Sequence, residues 1–385
     1  MLIKDICSSI TDGSHNPPQG IDTSSYLMLS SKNIFDDEIT LDQPRFLSKE
    51  DFENENKRTK VKCGDVLLTI VGTVGRAAVV PNNLPSFTLQ RSVAVLHPDE
   101  DVCSGRYLMY ALRGKRSYIE SHSKGVAQKG IYLKEVSGID LPVPSKEVQE
   151  QIIEKLDKMN SIIKSRQLEL EKLDELIKAR FVELFGDPVQ NPYGWSTRPF
   201  LEMGYCKNGM NFHIGDNGVK MHCLGVGDFK DYAVIDGTNH LSIVSLNETP
   251  PEESMLQDGD IVFVRSNGNK ALVGRCLVVY PHSTPTTYSG FCIRYRLTSA
   301  EVDIIYLLYV LKTDSMRKKM EGRGANIQNL NQQILATMDI PTPPMDLQKQ
   351  FTDFVSKTAK SKVAVQKALD ETQLLFDSLM QKYFG

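Results

Sequence analysis

The chain has 385 residues, 41% apolar and 24% charged, with 45 basic against 48 acidic side chains and a formal charge of −3. That usage excludes global disorder, and the length predicts two to three domains of about 150 residues each. No run approaches 18 apolar residues, the opening Met1-Leu2-Ile3-Lys4-Asp5 lacks an apolar leader, and the seven cysteines form no CxxC pair, so a membrane span, a secretory signal and a disulfide or zinc framework are not expected.

In chain order, the first segment is Thr11-Asp12-Gly13-Ser14-His15-Asn16-Pro17-Pro18, dense in turn formers. Gly64-Asp65 then leads into Val66-Leu67-Leu68-Thr69-Ile70-Val71, which reads as a strand, and into the turn Gly72-Thr73-Val74-Gly75-Arg76. A helix is predicted over Ser104–Ser117. Pro142-Val143-Pro144 closes this mixed region, and residues 145–185 contain neither Pro nor Gly, which predicts one helix roughly 60 Å long. Along it Leu156, Ile163, Leu170, Ile177 and Leu184 recur every seven residues, with Met159, Arg166, Leu173 and Arg180 between them. This is a heptad seam interrupted by two arginines.

After Phe185-Gly186 the same order returns. Gly259-Asp260-Ile261-Val262 answers Gly64-Asp65-Val66-Leu67, Gly274-Arg275 answers Gly75-Arg76, and a helix is predicted over Asp303–Lys318. Tyr107-Leu108-Met109-Tyr110 falls on Tyr306-Leu307-Leu308-Tyr309, Pro142-Val143-Pro144 on Pro341-Thr342-Pro343, Gln149 and Gln151 on Gln348 and Gln350, and Phe185-Gly186 on Phe384-Gly385, all at an offset of 199. Gly64 to Gly259 is an offset of 195 and Gly75 to Gly274 one of 199, so the second copy carries a four-residue insertion between those points. Residues 345–384 again lack Pro and Gly, with seam positions Val355, Lys362, Leu369, Phe376 and Tyr383 alternating with Thr358, Val365, Thr372 and Leu379. Two imperfect seams in one chain suggest pairing with each other, and a two-fold relation between copies makes that pair antiparallel. The expected fold is α+β: a first recognition-type domain over 1–143, a helix over 144–186, a second similar domain over 187–342 and a closing helix over 343–385.

This arrangement of globular segment, Pro-x-Pro, Gln-x-Gln, long helix and Phe-Gly, given twice, resembles the specificity subunit of type I restriction–modification enzymes. The Thr11–Pro18 opening resembles the start of many target recognition domains of that family. The second copy departs from it, with Tyr205-Cys206-Lys207-Asn208-Gly209-Met210 in its place. The resemblance implies a non-catalytic reader of double-stranded DNA in a bacterial or archaeal cytoplasm. Each recognition domain would read half of a split, asymmetric target, and the helices would set the gap and dock two modification (methyltransferase) subunits. Restriction/translocase subunits would join them. The chain itself would need no cofactor; S-adenosylmethionine, ATP and magnesium would belong to the partners.

Phosphate contact needs local positive charge whatever the net charge is. Between Arg106 and Lys134 stand Arg106, Arg113, Lys115, Arg116, Lys124, Lys129 and Lys134 against Glu120; the window 305–333 holds Lys312, Arg317, Lys318, Lys319 and Arg323 against Asp314 and Glu321. Within these windows lie the polar segments Lys124-Gly125-Val126-Ala127-Gln128-Lys129-Gly130 and Arg323-Gly324-Ala325-Asn326-Ile327-Gln328-Asn329. Gln and Asn suit adenine edges, while Arg and Lys suit guanine or phosphate. Lys124, Gln128, Lys129, Arg323, Asn326, Gln328 and Asn329 are therefore candidate contacts. Arg76 with Arg91, Asn267 with Lys270, Lys32 with Asn33, and His15 follow. Each also has a structural reading as an ordinary loop residue. Arg166, Arg180 and Lys362 either face solvent or pair with acids.

Enzyme readings fare poorly. Asn16-Pro17-Pro18-Gln19 resembles an adenine methyltransferase motif but offers Gln19 where an aromatic ring must stack on a flipped base. Gly225-Val226-Gly227 is a lone GxG, there is no GxxxxGK[ST], and the seven histidines show no HExxH. His222 and Cys223, adjacent on a strand, point to opposite faces. A coiled-coil scaffold that binds only protein remains the other alternative; it gives no reason for basic windows at matching places.

Overall fold

The computed structural model describes residues 1–125, 129–211, 218–229, 233–320 and 329–385. Contacts divide the chain into two compact units, Met1–Leu168 with Val365–Gly385, and Glu169–Ala364.

In the first unit Val66–Thr69 lies at the centre of an antiparallel sheet, between Val93–Pro98 and Ala77–Val79, with Cys7–Asp12 at one edge. The central run is buried at every position, and apolar over Val66–Leu68, because both faces are covered. Val66 and Leu68 enter one core with Tyr107, Leu108 and Leu112, whereas Leu67 enters a second with Leu29 and Phe87. A smaller sheet holds Arg45–Leu47, Tyr26–Leu29 and Phe87–Leu89, the last two parallel.

The second unit repeats this order. Gly204–Asn208, Cys292–Leu297, Asp260–Val264 and Cys276–Tyr280 form the antiparallel part of a five-stranded sheet, extended by a parallel strand, Val234–Asp236. Ile261 and Phe263 face one core, Val262 and Val264 the other. Ile243–Leu246, Val219–Leu224 and Thr286–Tyr288 make the smaller sheet, with the same mixture of antiparallel and parallel pairing. A two-stranded piece joins Thr197–Pro199 to Asp339–Pro341.

The repeated motifs act as clamps. The Gln149 amide, 1% exposed, donates to the carbonyls of Val102 (2.9 Å) and Pro144 (3.0 Å) while its oxygen accepts from Ser104 N. Gln348, fully buried, does the same with Glu301, Pro343 and Asp303. The Tyr107 hydroxyl donates to Pro142 O (2.8 Å), and Tyr306 to Pro341 O (2.9 Å). Each set ties the start of a long helix to the helix that packs on the sheet. Ser104 and Asp303 cap those shorter helices by accepting from backbone N–H groups.

Neither shorter helix runs as far as its sequence suggests. The first is Gly105–Gly114, followed by Arg116–Ser121; the second is Ile304–Lys312, followed by Asp314–Met320. Gly114 sits against the end of the last helix, where an added Cβ would lie 2.4 Å from Phe384 Cβ. Thr313 adopts extended backbone, and its carbonyl accepts from Arg317 N as the next helix begins.

The long helices span Lys146–Phe185 and Met345–Phe384. In the first unit Leu156 and Ile163 share a core with Phe376, Met380 and Phe384, joined by Leu369 and Leu379. In the second, Ile177, Phe181 and Phe185 share a core with Phe351 and Val355, flanked by Leu184. The beginning of each helix thus packs with the end of the other, an antiparallel pair. Val365 is 8% exposed, and Leu170 is half-buried. The polar seam residues take three different roles. Lys362 reaches Asp174 across the pair at 2.7 Å, Arg180 pairs with Glu183 on its own helix at 2.8 Å, and Arg166 buries an Nε that has no hydrogen-bond partner. Among the described residues no helix is long and apolar enough to cross a membrane.

Candidate nucleic-acid interface

Five loops of the first unit meet at one rim of the sheets, linked through their backbones. Ser14 N donates to Leu89 O (2.8 Å) and Arg91 N to Ser14 O (2.9 Å). Ser92 O accepts from Ile70 N (2.9 Å) and Val71 N (3.3 Å), and Ser92 Oγ from Ser31 N (3.0 Å). Gly72 N donates to Lys129 O (2.9 Å) and Ile131 N to Ile70 O (2.9 Å). His15, Lys32, the Gly72–Gly75 turn, Arg91 and Lys129 therefore share one edge although they are spread over 115 residues of chain.

The second unit builds an equivalent rim. Ser266 bridges Asn329 as Val71 bridges Gly130, and Leu330 N donates to Arg265 O (2.8 Å). Arg265 N and Ser266 N donate to Phe291 O, and Gly290 N to Met210 O (2.7 Å). The departure noted at the second copy's opening is smaller than its sequence suggests. Asn208-Gly209 takes the place of Asp12-Gly13, and an added Cβ would lie 2.1 Å from Leu89 O at Gly13 and 2.0 Å from Ser289 O at Gly209. Only glycine lets these strand ends touch the neighbouring loop. Gly209→Ala is accordingly expected to cost about 1–3 kcal/mol of stability, the range for overpacking a filled site, as measured by urea unfolding.

The candidate side chains differ in what they can offer. Lys129, Arg91 and Asn329 are exposed at the rim. Lys124 is exposed and pairs with Glu135 (3.3 Å); hydrogen bonds from Tyr132 N and Lys124 hold the Glu135 carboxyl below its usual range. His15 pairs with Asp12, which also takes Arg58. Arg76 lies over the Phe35 ring, 4.9 Å from its centroid. Lys32 is exposed, whereas Asn33 is 3% exposed and its amide is used within the turn, donating to Asp42 O (2.9 Å) and accepting from Ser30 N (3.0 Å). The side chain of Asn267 accepts from Asn269 N (2.8 Å) and shapes the loop that carries the exposed Lys270. Gln128, Arg323, Asn326 and Gln328 lie outside the described residues.

The basic windows need correction. Arg106 bonds Asp37 and Asp157, Arg116 bonds Asp36 and Gly75 O, and Arg113, 14% exposed, lies over the rings of Tyr110 and Phe376. Burial works against the Arg106 charge, but its bonds to Asp157 and Asp37 outweigh burial and raise its pKa. In the second window Arg317 donates to the carbonyls of Ala271 (3.2 Å) and Val273 (3.1 Å). These arginines hold the fold together; in the first window the carboxylates of Asp36, Asp37 and Asp157, far away in sequence, cancel charge that a local count assigns to the surface. Two rim residues escaped the sequence reading, Arg265 and Phe291. Phe291 is 60% exposed, an aromatic ring of the kind that stacks on or wedges between bases. Its place opposite Ser92 at the 199-residue offset was the available signal.

The type I restriction modification DNA specificity domain model matches the chain twice, over residues 22–173 and 227–372. The chain belongs to this family. Each match falls within one domain-and-helix copy, and the two end at helix positions 199 residues apart, the offset of the internal duplication. Curated relatives include the EcoBI specificity subunit of Escherichia coli, 31% identical over 33% of this chain and 27% of that one. The StySPI subunit of Salmonella potsdam is 25% identical over 69% and 60%, and the MjaVIII subunit of Methanocaldococcus jannaschii 23% identical over 77% and 73%. The matched part thus spans less than two thirds of the length of the first two. Solved structures similar in fold include the type I S subunit from M. genitalium, with TM-score 0.56, 14% identity and coverage of 100% of this chain and 95% of that one. A chain from a study of assembly and conformational transition of the type I R-M system gives 0.58, 16%, 100% and 96%.

Proposed function

We propose that this specificity-family chain reads a split, asymmetric target in double-stranded DNA, with one half-target on each rim and the paired helices setting the gap between them. The observation that carries this reading is the recurrence of one backbone framework with different side chains. Arg91 and Lys129 stand on one rim, and Arg265, Phe291 and Asn329 on the other. A common scaffold with divergent contacts is what two readers of different sequences require. The long helices would dock two modification subunits, with restriction/translocase subunits joining the assembly. S-adenosylmethionine, ATP and magnesium would act in those partners.

The test uses the chain assembled with its modification subunits, and the target found by mapping adenine methylation in the host genome with and without this gene. Substituting Arg91 and Lys129 together by Ala is expected to weaken binding to the target about 10- to 100-fold, the scale of one or two lost contacts. It should also relax discrimination at one half-target only. Equal loss on unrelated duplexes would reduce these residues to phosphate contacts, and binding that ignores salt would favour a protein-only scaffold.

A further inference from the structure

The two units differ where the helix pair meets the recognition sheet. In the first unit Arg113 stacks on Phe376, and the loop carrying Asp36 and Asp37 supplies carboxylates to Arg106, Arg113, Arg116 and Lys164. At the 199-residue offset Lys312 replaces Arg113, and the smaller Ile177 replaces Phe376 where the matching helix turn packs. There the second unit has a cavity of about 650 Å³, within the size range of small-molecule sites. Its described lining carries Lys178, Arg275, Lys312, Arg317 and Lys362 against a single acid, Asp174, which is already paired with Lys362. Among the described residues, neither Lys312 nor Arg275 forms a side-chain hydrogen bond or an ion pair within 4 Å. Burial lowers the Lys312 pKa, with Arg275 and Arg317 adding to the effect against Cys276 and Asp174. Tyr309, Phe229 and Val355 supply apolar wall.

We infer that this cavity of the second unit binds a small multivalent oxyanion, a polyphosphate or polycarboxylate, on Lys312, Arg275 and Lys362. Lys312 and Arg275, half-buried and without partners among the described residues, are unfavourable as they stand, and the duplicated unit meets the same need with its own carboxylates; Lys362, already paired with Asp174, borders the same space. The recessed position of Lys312 selects a free small molecule over a duplex, which touches projecting charges. Residues 230–232, between the lining residues Phe229 and Ala233, lie outside the described residues and include one further acid, Asp231.

Titration calorimetry and thermal unfolding of the full chain test this, with inorganic pyrophosphate and citrate as probes and sodium chloride at matched ionic strength as control. Saturable binding is expected, with a Tm rise of about 3 °C or more at a hundredfold excess over Kd. Lys312→Met and Arg275→Gln should each weaken it at least tenfold; if the first fails to fold, the second decides. The inference is overturned if neither probe saturates, if both variants bind as the parent does, or if binding emerges only in Asp231→Asn, which would make the chain's own carboxylate the occupant. Stoichiometric displacement of pyrophosphate by a short duplex would assign these cations to DNA and overturn it equally.

Discussion

Phe351→Ala is expected to destabilise the unit Glu169–Ala364 by about 3–5 kcal/mol, the cost of emptying a large aromatic site in a core that relaxes only in part. Phe351 is fully buried near the start of the second long helix, and its ring meets those of Phe181 (5.4 Å), Phe185 (5.6 Å) and Tyr309 (5.2 Å), each edge-on. One residue therefore joins both long helices to the helix that packs on the five-stranded sheet. The chain's single tryptophan, Trp195, lies in the same unit and its ring N–H donates to Phe185 O (3.3 Å). Urea unfolding followed by Trp195 fluorescence should thus move to a lower midpoint. Phe351→Leu, which keeps most of the apolar volume, should recover more than half of the loss. A midpoint unchanged in Phe351→Ala would mean that the helix pair does not hold this unit together.

Asp37→Asn should cost about 2–3 kcal/mol in the other unit. The Asp37 side chain is 9% exposed, accepts from Arg106 and from Asn160 (2.8 Å), and forms an ion pair with Lys164 at 3.8 Å. Removing the charge leaves Arg106 largely buried with only Asp157 to balance it, and breaking a buried pair on one side is more costly than never having formed it. The surviving Asp157 bond keeps the estimate below the full penalty. Asn is the right probe because Asp37 sits at φ 58°, a left-handed backbone that Asn tolerates and Ala does not. Hydrogen exchange should show lost protection in Gly105–Gly114, with Ile304–Lys312 of the other unit unaffected. A loss below about 0.5 kcal/mol would show that Asp157 and solvent suffice for Arg106.

The basic window over Arg106–Lys134 illustrates where sequence reasoning stops. Arg106 and Arg116 sit among lysines and look like surface charge, yet their acids are Asp36, Asp37 and Asp157, 51 to 80 residues away. Nothing within a local window distinguishes an arginine that projects from one that is bonded inside. Asn33 shows the same thing, since its amide bonds Asp42 and Ser30 only once the turn has formed. Phe291 went unnoticed because one aromatic residue between Gly and Cys reads as part of a strand.

What the residues determined by themselves was everything that depends on order and period. The duplication, the two Pro- and Gly-free helices and their heptad seams follow from apolar spacing and from the absence of helix breakers, which act locally. Tertiary structure alone decided which loops share a rim, which arginines face inward, and why one unit fills with its own carboxylates the place where the other has a cationic cavity. Those outcomes depend on pairings between residues distant along the chain, and a hydrogen bond or ion pair acts only between groups that folding has brought within a few ångströms.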